Sequence, residues 1–560
     1  MRDERSMAWI LIGVLGAAAA LMLWLPWWLA EHVSGAEPVP GGPLTIVKAL
    51  REEGEPEWPG AATWWAAALV AVMVVLLVLV IWRMPSRSVD RAARRLPRDS
   101  GLRRYVTGKG PRIGRVVRGL GNRRPVVHAT EEDQIVVVAG PRTGKTTALA
   151  IPAAVAHDTG PLVVTSNKRD IYDHIVNLRS ANGRVWLFDP LGLASDGVAR
   201  WWWNPLQMTR DIRGARRLAA IWNRESKDPG AQADNAYFEA EGSDLLASLL
   251  LAASSGGLPV SAIYPWLARM NDPEPVEILR HTPGCELVAE GLQGRQDLDG
   301  RQRDGIFGTA RKIVAWLDDP TALAWIEPGH DREQFDPSSF ATSGDTLVSL
   351  SKESEGWATA LVTALTASVM VDTEMKAAKM PGGRLQRPML GVLDEAANVC
   401  RWRELPDLYS HYGSRGIVLM SLFQSWAQMV EAFGPEGAEK LWSASNVRIY
   451  AGGVSDTTFL QRLSDLAGDW DHPHWSRSTG RRHGATYSRS TDRRPIYDIA
   501  TLGSMPPGRA LAVLSAARPV LVELQRWFDG PDANRIRRAM AAPTSAPAST
   551  STSTDVDVPA

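Results

Sequence analysis

Two short stretches hold residue types at spacings suited to phosphoryl chemistry: AGPRTGKTT at Ala139–Thr147 and LDEAANV at Leu393–Val399. The first follows a run of β-branched residues, which predicts a buried strand over Ile135–Ala139, a turn over Gly140–Gly144 and a helix from Lys145 onward. Such a loop turns successive backbone N–H groups inward, and the helix N-terminus adds partial positive charge. Gly140, Pro141, Arg142, Thr143, Gly144, Lys145, Thr146 and Thr147 together therefore suit a phosphate chain. Lys145 is placed to reach the β and γ phosphates of a nucleoside triphosphate, and the Thr146 hydroxyl to ligate Mg²⁺. Ala139 stands where the G-x-x-x-x-G-K-[ST] pattern begins with glycine, a departure that costs little if the residue closes the strand at negative φ.

Binding alone needs no acid opposite the phosphates, but hydrolysis does. Met389–Leu393 reads as a second apolar strand ending in Asp394 and Glu395, where the first acid can hold Mg²⁺ or its water and the second can polarise the attacking water. A third strand over Gly416–Phe423 ends in Gln424, placed to sense the γ phosphate or orient water. ATP and Mg²⁺ are the expected cofactors.

Positioning these groups takes a larger frame. Further strand-like runs start at Pro161, Arg184, Thr346, Asn446, Arg509 and Pro519, and they alternate with helical stretches such as Gly356–Met380. This is the pattern of a doubly wound α/β domain with ligands at strand C-terminal ends. Between them, Leu245, Leu246, Leu249, Leu250 and Ala253 fall on one helical face among several more helical runs, which predicts an all-helical insertion. The expected organisation is a transmembrane hairpin over 1–84, a basic juxtamembrane segment over 85–130, a nucleotide domain in two parts (131–206 and 341–530) around an all-α insertion (207–340), and a disordered tail over 531–560 rich in Ala, Pro, Ser and Thr.

The hairpin reading rests on two apolar stretches, Met7–Ala30 and Ala61–Trp82, each long enough to cross about 30 Å of hydrocarbon. Tryptophans stand near their ends. The segment between them carries six glutamates, whereas residues 83–124 hold fourteen Arg or Lys and two acids. That bias predicts a multi-pass protein of the cytoplasmic (inner) membrane with both termini cytoplasmic. Over the whole chain of 560 residues, basic and acidic side chains balance at 62 each, so any attraction to nucleic acid or lipid is local. The only two cysteines, Cys285 and Cys400, exclude a disulfide framework and fit a reducing compartment.

AGPRTGKT, LVVTSNKRD from Leu162, LFDPLG from Leu187, WNPL from Trp203, LDEAANV, LPDLYSHYGSRGI from Leu405 and LFQSWAQM from Leu422 occur in this order. Together with the hairpin they resemble the type IV coupling proteins of conjugative DNA transfer. The resemblance implies a membrane-anchored, RecA-like hexameric ATPase, with Lys145, Thr146, Asp394, Glu395 and Gln424 at its ATP site. It also implies an insertion that receives relaxase-bound DNA or another substrate, and partners among relaxosome and type IV secretion or conjugation channel proteins. Ser166, Asn167, Lys168 and Arg169 depart from the acidic residue and glycine that relatives tend to carry around the lysine. In a ring, a cation from the next subunit can neutralise charge on the transferred phosphoryl group. Arg415 is the first candidate and Arg448 the second. The Arg-, Ser- and His-rich stretch Trp470–Arg494 reads either as a pore-lining DNA contact or as a basic surface hairpin. Two other functions stay open: a secretion motor with polypeptide cargo, and an ATP-binding docking platform.

Overall fold

The computed structural model describes residues 88–96, 100–117, 124–226, 236–352, 354–478 and 486–542, with short pieces before residue 88. The chain divides into two units, Met1–Arg87 and Ser88–Ala560. The transmembrane hairpin expected over 1–84 lies largely outside the described residues, and among those described no helix is long and apolar enough to cross a membrane. In the first unit a helical piece places the rings of Trp28 and His32 4.3 Å apart.

The second unit is built on a mixed sheet. In chain order the strands are β1 Arg112–Val116, β2 Val126–His128, β3 Ile135–Val138, β4 Leu162–Ser166, β5 Val185–Phe188, β6 Trp201–Trp202, β7 Glu333–Gln334, β8 Thr346–Leu350, β9 Met389–Leu393, β10 Ile417–Phe423, β11 Val447–Tyr450, β12 Asp469–Ser478, β13 Thr486–Pro495, β14 Arg509–Leu514 and β15 Ala517–Glu523. Eleven of them form one sheet in the order β2-β1-β15-β14-β11-β3-β10-β9-β4-β8-β5. From β11 to β5 every neighbouring pair is parallel, while β14, β15, β1 and β2 add an antiparallel edge. β3, β9 and β10 are buried at every position, which is why they read as unbroken apolar runs: both of their faces are covered. Alternate residues of β3 serve two cores, Val136 and Val138 on one face and Ile135 and Val137 on the other.

Between β5 and β8 the chain is mostly helical. The helix Ala236–Ser255 buries Leu245, Leu246, Leu249, Leu250 and Ala253, but also Ala247, Ser248, Leu251 and Ala252, so its C-terminal half is enclosed all round rather than amphipathic. One two-residue pairing, β6 with β7, joins the ends of this region. The LFDPLG and WNPL stretches are loop-building. The buried Asp189 carboxylate accepts backbone N–H bonds from Leu193, Ala194 and Ser195, each at 2.8 Å, and Asn204 caps the turn after it.

Two expectations need adjustment. The basic stretch over 85–130 contributes β1 and β2 to the sheet. Part of the tail expected over 531–560 is structured: Ala533–Ala541 is helical, buries Ile536, and is held by Asn177 Nδ2 donating to Ala539 O at 2.8 Å, while residues 543–560 lie outside the described residues. The helix's amphipathic ANRIRRAM pattern was masked by the low-complexity residues that follow. The stretch Trp470–Arg494 forms the antiparallel ribbon β12–β13, in which each strand pairs only with the other; at its base the Arg95 guanidinium lies 3.7 Å over the Trp470 ring.

Candidate functional site

Register decides which residues share the C-terminal rim of the sheet. Phe423 pairs with Val138 and Ser421 with Leu393, so Gly140, Glu395 and Gln424 emerge side by side from β3, β9 and β10. Lys145 Nζ and Glu395 Oε1 form an ion pair at 2.8 Å, with both side chains less than a tenth exposed. Gln424 Nε2 donates to the other oxygen, Glu395 Oε2, at 2.7 Å. Thr146 Oγ1 donates to Asp394 Oδ2 at 2.9 Å. Five residues from three separate stretches thus form one connected group.

The loop itself is tightly held. Thr143 Oγ1 donates to Gly140 O at 2.8 Å and Thr147 Oγ1 to Gly144 O at 3.2 Å. Gly144 has φ +93°, which L-residues rarely adopt. Arg142 (φ +60°) and Glu395 (φ +56°) are two of the three non-glycine residues with positive φ among those described. Such conformations cost of order 1–3 kcal/mol each, and their concentration here marks the site as one where backbone direction outranks local stability. Pro141 and Arg142 are exposed at the tip of the loop. After Lys145 the chain winds as a wide π-helical turn over Thr146–Ala150 before the α-helix Ile151–Ala156.

Asp394 is buried, and that burial pushes its pKa up to about 6. The neighbouring Glu395 charge adds to the rise, while the Thr146 hydroxyl, Lys145 and Lys168 oppose it. Its Oδ1 has no hydrogen-bond partner. A buried carboxylate oxygen without a partner, beside a threonine hydroxyl, is the hard oxygen set that Mg²⁺ takes, so these residues fit that ion. Lys168 enters here through the SNKRD stretch at the end of β4: the sequence marked the residues around this lysine as a departure, and the structure brings its charge to bear on Asp394.

Gly140 does a different job from the one expected. A Cβ there would meet Gly453 O at 2.1 Å, and Gly140 N donates to Gly452 O at 2.9 Å. The loop is pressed against the Ala451–Gly453 turn after β11, a neighbour that sequence reasoning missed. The adjacent glycines Gly452 (φ +83°) and Gly453 (φ +76°) were the available signal.

Arg415 is not brought to this group within one chain. It precedes β10, and Gln424 follows the same seven-residue strand, so the two are separated by ~23 Å of extended backbone. Its Nη1 donates to Gly383 O at 3.1 Å. Arg448 lies within β11, paired with Val136 and Val513, and its Nε is buried without a partner.

Comparison with known proteins bears on this arrangement. A family model described as the TraM recognition site of TraD and TraG matches residues 388–507, which include Asp394, Glu395, Arg415 and Gln424. The conjugal transfer protein TraG of Agrobacterium fabrum is 26% identical over 407 residues, covering 70% of this chain and 60% of that protein. A probable conjugal transfer protein TraG of Sinorhizobium fredii is 23% identical, with 60% and 52% covered. The chain thus spans about 52 to 62% of the length of these curated relatives. Among solved structures, the bacterial conjugative coupling protein TrwB lacking its N-terminal segment superposes with a TM-score of 0.53 at 16% identity, covering 77% of this chain and 94% of that one. TrwB in complex with a non-hydrolysable ATP analogue gives 0.53 at 14% identity, with 78% and 97% covered. Both share the fold.

Proposed function

The chain belongs to the type IV coupling protein family, and on that premise we propose that it is a membrane-associated, Mg²⁺-dependent ATPase that uses hydrolysis to move relaxase-bound DNA toward a conjugation or type IV secretion channel. The observation that carries this reading is the connected group Thr146–Asp394 and Lys145–Glu395–Gln424 at one rim of the sheet. ATP analogue binding by TrwB supports the nucleotide assignment.

In this reading the backbone amides of Arg142–Thr147 receive the phosphate chain, since Pro141 has no N–H and the Gly140 amide is already bonded to Gly452 O, and Lys145 exchanges the Glu395 carboxylate for a β or γ phosphate oxygen. Glu395, still tethered by Gln424, is then free to take a proton from the attacking water. Thr146 and Asp394 would hold Mg²⁺, which would supply neutralisation of phosphate charge. Arg415 acts in the site of a neighbouring copy. The basic β12–β13 ribbon contacts the DNA backbone without reading sequence.

The test is ATP turnover by the full chain in detergent, with and without single- and double-stranded DNA. Lys145→Ala is expected to lower the rate about 10²-fold or more, as removal of a preorganised charge-stabilising donor does. Undiminished turnover in that variant would refute the site. Stimulation by unfolded polypeptide and not by DNA would replace the cargo.

A further inference from the structure

A second concavity lies on the antiparallel edge of the sheet, four strands from β3. It encloses about 840 Å³ and carries Lys109, Arg112, Arg115 and Arg526 on its wall, with Trp527 and Ile536 among its apolar lining. Arg112 donates to the amide oxygen of Gln525, Arg115 Nη1 to Arg124 O at 3.3 Å, and the Arg526 guanidinium lies 5.6 Å from the Phe528 ring. Among the described residues none of the four cations is in an ion pair. Two carboxylates, Asp529 and Asp532, share the wall, and Asp532 already faces Arg535 at 3.8 Å. Arg112 Nε is buried without a hydrogen-bond partner. Burial first, and then the like charge of Arg115, pull the Arg112 pKa down, against the pull of Asp532. Four cations thus stand against two carboxylates, one of which already faces Arg535.

We propose that this cavity takes the phosphate headgroup of an anionic phospholipid. Guanidinium forks bind phosphate oxygens bidentately, which accounts for the arginines and the unpartnered Nε. A free phosphate would have no use for the apolar wall, whereas a glycerophospholipid carries apolar atoms immediately behind its phosphate. The Trp527 indole, held edge-on by His174 with ring centroids 4.6 Å apart, is the side chain suited to such a polar–apolar boundary. A nucleic-acid backbone calls instead for an extended basic track with aromatics spaced along it, not one local concavity with an apolar wall. Three of the four cations belong to the arginine-rich stretch that follows the second apolar segment of the sequence. The proposal shares with the functional reading only the association with membrane, and its test involves no nucleotide.

The test is calorimetric titration of the full chain in neutral detergent with three probes: dihexanoyl phosphatidylglycerol, dihexanoyl phosphatidylcholine and inorganic phosphate. The expected result is binding of the phosphatidylglycerol, with affinity about 30-fold weaker in the Arg112→Gln/Arg526→Gln double variant, following the worth of the two basic residues near anionic lipid. Circular dichroism and thermal unfolding check that the variant is folded. A folded variant that binds as tightly as the parent overturns the proposal, and so does equal affinity for phosphatidylcholine. Equal affinity for inorganic phosphate reassigns the cavity to a free anion, and displacement of the lipid by a short single-stranded oligonucleotide reassigns it to nucleic acid.

Discussion

At the scale of single residues, the most informative contact is the one between Lys145 and Glu395, because in the proposed reaction each group is needed elsewhere. The 2.8 Å pair is sheltered from solvent, and the left-handed backbone of Glu395 aims its carboxylate back at the loop. A triphosphate must therefore displace a charged partner before it gains the ammonium, and part of its binding free energy offsets that loss. Glu395→Gln keeps the shape and removes the charge. The variant is expected to bind a non-hydrolysable ATP analogue about 10-fold tighter, a gain near 1.4 kcal/mol, measured by calorimetry with Mg²⁺ present. Simple repulsion between Glu395 and the phosphates would give the same sign, so the decisive measurement is the same substitution in a Lys145→Ala background. There most of the gain should vanish. Its persistence would mean that Lys145 is not held back at all.

Between elements, what shapes the phosphate loop is the turn after β11 more than the loop's own residues. Gly140 and Gly453 meet backbone to backbone. Gly453→Ala puts a methyl at a left-handed position 3.0 Å from Gly140 Cα. We expect a loss of about 2 kcal/mol and a melting temperature lower by ~2 °C, read by calorimetry, together with weaker binding of the ATP analogue. If affinity stays unchanged while stability drops, the turn supports the sheet and not the loop. The same contact illustrates what could be read from the sequence. β3, β9 and β10 were legible because strands covered on both faces are apolar throughout, and the candidate site residues lie in the segments that follow each run. β1 and β2 were not legible: Arg112 and Arg115 interrupt the first, and the surrounding arginines gave the whole stretch a surface character. Nor could two glycines at 452 and 453 announce that a loop more than three hundred residues earlier packs on them. Close approach is a tertiary fact with no local period.

For the whole molecule, the question is whether one chain holds a complete site, and the length of β10 answers against it if Arg415 takes part. A guanidinium at the N-terminal end of a strand cannot reach a phosphate at the C-terminal end ~23 Å away, but a head-to-tail ring brings one subunit's edge to the next subunit's rim. Each site would then need Lys145 from one copy and Arg415 from its neighbour. Lys145→Ala and Arg415→Ala should each be nearly inactive alone, the second because a trans arginine is worth roughly 10³ to 10⁵ in rate. Mixed in equal amounts and allowed to exchange, the two variants should recover turnover. An Arg415→Ala subunit still supplies an intact Lys145, and a Lys145→Ala neighbour still supplies an intact Arg415. With random assembly about a quarter of the interfaces carry both groups, so about a quarter of the parental rate per site is expected, rising only as subunits exchange. A mixture no faster than its components would place Arg415 outside the reaction, and Arg448, inside β11 and closer to the loop, would then be the next substitution to carry through the same mixing experiment.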